Sequence, residues 1–260
     1  MQAVNSNRRS FLGVLLGLAF LPINALATAW NKAAFETNQL EVAEKGLGIH
    51  AETPNKEIEI IAPDRAENGA IVQLEVKSSI PNTEAIAVFV EKNPTVLIGN
   101  FMFSNGALPQ IITRIKMAET SDIKIVVKAG DQYFTASKNV VVLENGCGGG
   151  GGANEKFESS MKLRAKQKDN FTEIKAIIIH PMHTGRGKDD FDKIIPAHFI
   201  QLIDLTLNGK PALQIQCGTG IAKNPYLTCY VDNAKAGDKI SLTWHDNLGK
   251  TGTGEIEVTA

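Results

Sequence analysis

Three cysteines and five histidines carry most of the nucleophilic and metal-binding chemistry open to this 260-residue chain. Cys147 stands in the run ENGCGGGGGA at 144–153, with Gly146 before it and Gly148 to Gly152 after it. No Lys, Arg or His adjoins it, so nothing local stabilises its thiolate, and it should titrate near the free-thiol value of about 8.5. No second cysteine is close in sequence, which argues against a thiol-redox enzyme with a resolving partner. Four readings stay open: a linker accident, half of an intermolecular disulfide, part of a phosphate loop, or a covalent attachment point on a flexible arm. The phosphate loop lacks the following Lys-Ser/Thr and the strand–loop–helix setting. The arm suits the glycines, which remove side-chain bulk and let the backbone take many conformations.

Cys217 ends the alternating run Leu213, Ile215, Cys217, and Cys229 lies within Leu227, Cys229, Val231. Both project with apolar neighbours. They are either two buried thiols acting as small hydrophobes or a Cys217–Cys229 disulfide. His180, His183, His198 and His245 invite a metal reading. However, the i, i+3 pair flanks a Pro-Met turn that fixes no common face, and no carboxylate triad accompanies it. The polar loop GRGKDDFD at 185–192 lacks EF-hand spacing, so its acids read as solvated. The expectation from these residues is no metal. Arg114 and Lys116 alternate on one strand and read as a solvated face, with reception of an anion as the alternative.

The elements that must hold these residues follow from periodicity. Arg8 and Arg9, the short apolar run 11–23 and Ala25-Leu26-Ala27 make a secretory signal with a twin-arginine character. The mature protein is therefore expected to be soluble and periplasmic. The net charge of −1 and the lack of a basic stripe argue against nucleic acid. Residues 30–50 read as one helical stretch that Gly46 stops. Beyond it the pattern has period two: Val72, Leu74, Val76; Ile86, Val88, Val90; Ile123, Ile125, Val127. Further runs lie at 57–61, 95–103, 110–116, 132–136 and 139–143. The second half reads as strands at 159–167, 173–180, 198–208, 211–217, 226–231, 238–244 and 254–259, with Asn208-Gly209 as a two-residue hairpin. The fold class is all-β: two immunoglobulin-like antiparallel β-sandwich domains, with a short N-terminal helix after the signal. The expected boundaries are 1–29 for the signal, 30–144 and 157–260 for the sandwiches, and 145–156 for the glycine-rich arm and linker.

Several stretches then resemble a known pair of families. EKNP at 91–94, TRIKMAET at 113–120 and the Gly-Cys-Gly-Gly segment are similar to the SoxY family. KLRAK at 162–166, HPMHTG at 180–185, IPAHFIQ at 195–201, KNPYL at 223–227 and GDKISLTWHDNLG at 237–249 are similar to the SoxZ family. The resemblance covers nearly the whole mature chain and implies a SoxY–SoxZ fusion, a carrier for periplasmic thiosulfate oxidation that is not itself an enzyme, with no catalytic residue and no bound cofactor. It implies that Cys147 bears the sulfur intermediates, with Gly146, Gly148, Gly149 and Gly150 giving the arm its flexibility. It implies three partners: a SoxAX-like haem c sulfur transferase, a SoxB-like sulfate thiol esterase and, in some organisms, a SoxCD-like sulfur dehydrogenase. A SoxYZ-like carrier or binding protein serving a periplasmic quinoprotein dehydrogenase is the alternative. Two departures stand out. Family cysteines lie near a free C-terminus, whereas this chain continues for more than a hundred residues. In addition, Asn145 replaces the first of two glycines, an exchange that tolerates left-handed backbone.

Overall fold

A computed structural model of the chain describes residues 29–144 and 159–260. The signal peptide, Cys147 and the arm glycines Gly146, Gly148, Gly149 and Gly150 lie outside the described residues. Two short helices, α1 (Lys32–Phe35) and α2 (Leu40–Gly46), open the first half. Its strands are β1 (Thr53–Pro54), β2 (Ile58–Ile61), β3 (Arg65–Asn68), β4 (Val72–Ser78), β5 (Thr83–Val90), β6 (Leu97–Phe103), β7 (Ala107–Ile115), β8 (Ser121–Ala129) and β9 (Gln132–Glu144). The second half supplies β10 (Met161–Gln167), β11 (Thr172–Ile178), β12 (Ile200–Leu207), β13 (Lys210–Cys217), β14 (Tyr226–Val231), β15 (Lys239–Asp246) and β16 (Thr251–Glu257).

These strands form two packed sheets, and each half gives strands to both. One sheet runs β1-β9-β8-β5-β6-β13-β12-β15-β16, with β3 also on β9; the other runs β10-β11-β14-β7-β4-β2. The halves are therefore immunoglobulin-like sandwiches joined edge to edge. At one seam β13 lies antiparallel to β6, with Cys217 opposite Gly99 and Leu213 opposite Phe103. At the other, β14 lies antiparallel to β7, with Leu227 opposite Thr113 and Val231 opposite Ala107. One apolar core runs through both halves, from Ile58, Leu74 and Phe101 to Ile215, Leu242 and Trp244.

The alternating strands behave as their period demands. Val72, Leu74 and Val76 point into the core while Gln73 and Lys77 face water. β5 departs from alternation because both of its faces are covered. Val88 and Val90 enter the main core, while Ala87 and Phe89 join a second cluster with Ala34, Phe35 and Ala43 of the two helices. Lys124 fastens this helical layer to the sheet by ion pairs to Glu44, at 2.7 Å, and to Glu52. The single helix read over 30–50 is broken at Thr37-Asn38, where the Thr37 carbonyl turns away to accept the Val96 amide. The runs at 132–136 and 139–143 are one strand, β9. It pairs with β8 as far as Val140 and then continues against β3. The Asn208-Gly209 hairpin forms as read, with φ of 50° and 77° suiting the mirror-image turn.

The seams need close approach. The amide of Gly218 bonds the Ile98 carbonyl, and a Cβ there would sit 2.6 Å from the Leu97 carbonyl oxygen. Gly218→Ala is expected to lower stability by about 1–3 kcal/mol. Because the core is shared, urea unfolding should give one midpoint by circular dichroism and by Trp244 fluorescence in a Trp30→Phe variant. Two separated transitions would refute the shared core.

Candidate functional site

Glu144 is the last described residue before Cys147, and Ser159 is the first after the gap. Both ends reach one region through hydrogen bonds. The Gly69 amide donates to the Glu144 carbonyl at 2.9 Å, and the Met117 amide donates to the Gly69 carbonyl at 2.7 Å. From the other side, the Ile179 amide donates to the Ser160 carbonyl at 2.8 Å, one residue before His180.

Lys116 joins the two sides. Its side chain is buried, and Nζ donates to the carbonyls of Met182 at 2.5 Å and Thr219 at 3.0 Å, both in the second half. Its own carbonyl accepts from Asn93 Nδ2 at 2.8 Å, while Asn93 Oδ1 accepts the Ala118 amide at 2.8 Å. Arg114, one turn of the pleat away, stacks over the Tyr226 ring with 4.9 Å to its centroid. Lys116, just past the end of β7, is buried rather than solvated because Met182 and Thr219 of the second half close over it, while Arg114 is half-buried beside Tyr226. The second Lys-Asn-Pro has a parallel arrangement. Asn224 Oδ1 accepts the His180 amide at 3.1 Å, and the Asn224 amide donates to the His180 carbonyl at 2.9 Å.

His180, His198 and Asp246 meet at a buried carboxylate. Asp246 Oδ2 accepts from His198 Nε2 at 2.8 Å and lies 3.4 Å from His180 Nε2; Oδ1 accepts the amides of Leu248 at 2.9 Å and Lys250 at 2.8 Å. Burial pushes the Asp246 carboxyl up, but the bonds from His198, Lys250, Leu248 and His180 outweigh it and hold the group below its usual value. His180 is fully buried, and that burial, opposed by its bond to Asp246, brings it down to about 4. These three donor atoms lie within 4.8 Å of one another, close enough for a metal. The tautomer argues against one. The Met182 amide donates to His180 Nδ1 at 3.2 Å, which puts the ring proton on Nε2, the atom a metal would need bare. The arrangement is a structural knot. It ties the loop at 180–183 to the β15–β16 turn, and the mutual amide–carbonyl bonds of His183 and His198 reinforce it.

Cys217 and Cys229 are buried free thiols, each pushed up to about 12 by burial. The disulfide alternative is corrected: the two residues sit on β13 and β14, in opposite sheets, and packed sheets lie about 10 Å apart while a disulfide needs Cα atoms within about 7 Å. Beside the Lys116 cluster a groove of about 450 Å³ opens between the helical layer and the second half, lined in part by Trp30, Phe35, Pro94, Thr184, Arg186 and Phe199.

Sequence reasoning singled out the histidines and Lys116 but missed Asp246 as their partner and the packing of Arg114. Asp246 is 66 residues from His180, and only the fold brings them together. Its one local signal was its place before the Asn247-Leu248-Gly249 turn.

Comparison with known proteins follows the same division. Residues 44–147 match the family described as sulfur oxidation protein SoxY, and residues 161–257 match sulphur oxidation protein SoxZ. Among solved structures, the sulfur carrier protein SoxY from Chlorobium limicola f thiosulfatophilum is 30% identical over 40% of this chain and 96% of that one, with a TM-score of 0.38. A beta-glycosidase from Bacteroides vulgatus is 11% identical over 84% of this chain and 26% of that one, with a TM-score of 0.26. No curated protein matches the chain.

The knot makes stability depend on pH. His180 is held at about 4 against an ordinary 6.5, so between those values the unfolded chain binds a proton that the folded chain refuses. Stability is full above pH 6.5 and falls as pH drops towards 4, by about 3 kcal/mol. Asp246, held low, adds a loss in the same direction at still lower pH. Denaturant titrations from pH 4 to 7 should show this rise, and His180→Asn should remove most of it.

Proposed function

The chain belongs to the sulfur-oxidation families SoxY and SoxZ, one domain of each in series, and from that we propose that it is a periplasmic sulfur carrier of thiosulfate oxidation, holding its cargo covalently on Cys147. Support comes chiefly from where the SoxY match closes: on residue 147, the cysteine among the glycines.

Thiosulfate joins the Cys147 thiol as Cys–S–S–SO₃⁻, releasing a proton while a SoxAX-like haem c enzyme takes up the electron pair. A SoxB-like metal-dependent esterase then uses water to cleave the bond to the terminal sulfonate. Sulfate and a proton leave, and a persulfide remains on the cysteine. In hosts that have one, a SoxCD-like dehydrogenase oxidises the remaining sulfane sulfur with oxygen drawn from water. The chain supplies the thiol and its presentation, and the partners supply the catalysis. Asn145 and Gly146 separate Cys147 from Glu144, so the chain can carry its Cα no more than about 11 Å from that strand end. An enzyme that takes the thiol must therefore settle near the end of β9, where the Gly69 amide donates to the Glu144 carbonyl.

The arm enters its partners as a closed loop, both feet attached. Intact-mass measurement of the mature protein should find one uncut chain; two fragments meeting between 148 and 154 would sink the loop form. After incubation with thiosulfate and the periplasmic fraction, the Cys147 peptide should gain the mass of the adduct. A Cys147→Ala chain that still supports thiosulfate oxidation would end the carrier reading.

A further inference from the structure

The groove between the helical layer and the second half is lined by two chemically different sets of residues. One set is aromatic: Trp30 stacks on Phe35 with 5.3 Å between ring centroids and tilts against Phe199 at 5.7 Å. The other is polar, and Thr95, Thr184, Arg186 and Thr219 belong both to the groove and to a small recess that also takes in Asn93. The recess holds about 10 Å³, room for one water-sized atom. The groove, at about 450 Å³, falls within the ordinary size of small-molecule sites, about 300–1,000 Å³.

The polar set is rich in donors. Thr95 Oγ1 and Thr219 Oγ1 lie 3.1 Å apart, so one hydroxyl proton is used between them and the other remains to donate. Thr184 Oγ1 accepts the Arg186 amide at 3.2 Å, which leaves its own proton available. Arg186 gives one N–H to the Pro94 carbonyl at 3.5 Å and keeps the rest of its guanidinium donors. The Lys116 ammonium adds positive charge through its bond to the Thr219 carbonyl at 3.0 Å. Among the described residues no carboxylate lines the recess. Glu36 lines the groove, but it is exposed and paired with Lys32 at 3.6 Å. Donors and positive charge without an acid fit an oxyanion, and the aromatic set fits a flat apolar body. We propose that the groove binds a small aromatic carboxylate, with its ring against Trp30 and Phe199 and one carboxylate oxygen in the recess beside Arg186. This site is separate from the thiol chemistry and stands whether or not Cys147 carries sulfur.

Calorimetric titration of the full chain with indole-3-acetate tests this. The parent should bind it with a Kd of roughly 1 mM or tighter. Acetate, which lacks the ring, and indole-3-acetamide, which lacks the charge, should each bind at least about tenfold more weakly. Arg186→Gln should weaken indole-3-acetate at least about tenfold. Lys188→Gln, which removes a charge from the same loop without touching the groove, should match the parent. No binding of indole-3-acetate up to about 10 mM, equal affinity for the acid and its amide, or unchanged affinity in Arg186→Gln overturns the site. An equal loss in Lys188→Gln also overturns it, because the attraction would then follow net charge alone.

Discussion

Edge-to-edge strand pairing is the constraint from which the rest of the molecule follows. A sandwich leaves strands at its borders with a row of unpaired backbone groups, a standing invitation to wrong partners. Here β6 and β7 of the first half meet β13 and β14 of the second, one pair in each sheet. Both sheets become continuous, and the apolar layer between them runs from one half into the other without a break. Gly99, Gly218 and the bulge at Cys229 are local adjustments that let the backbones come this close.

The polar groups at the end of the seams do a different job. Lys116 carries a buried ammonium from the first half to carbonyls of the second, and Asp246 gathers four N–H groups from three stretches of chain. Burying such charges costs a good deal unless every lone pair and proton finds a partner. Hydrogen bonds are directional where apolar packing is not, so they fix how the 180–186 loop sits against the strand end that leads to Cys147. The seams hold the halves together, and the buried charges set their alignment at the working end.

Most of the fold was legible because most strands have one wet face and one dry face, which writes itself as alternation. Val72, Leu74 and Val76 are the plain case. Alternation failed where its cause was absent: β5 is dry on both sides because helices cover it, and Lys116, just past the end of β7, is buried under Met182 and Thr219 of the second half. β1 and β3 were missed because they are short and owe their strand character to β9. The edges that pair, and the carboxylate that three motifs share, are long-range facts with no local pattern. Cys147 was the reverse. Its setting is purely local, so the sequence displayed it openly, while the role proposed for it rests on the company of the surrounding motifs.

The continuous sheets also separate two meanings of being one molecule. The peptide between 144 and 159 joins the halves covalently, but ten cross-strand residue pairs along the two seams, together with the common core, join them physically. Covalent continuity is thus redundant for assembly. A chain opened by a protease in that stretch would still travel as one particle of unchanged size. The fused gene and a pair of separate genes would specify the same object, differing only in whether the thiol sits on a closed loop or near a loose end.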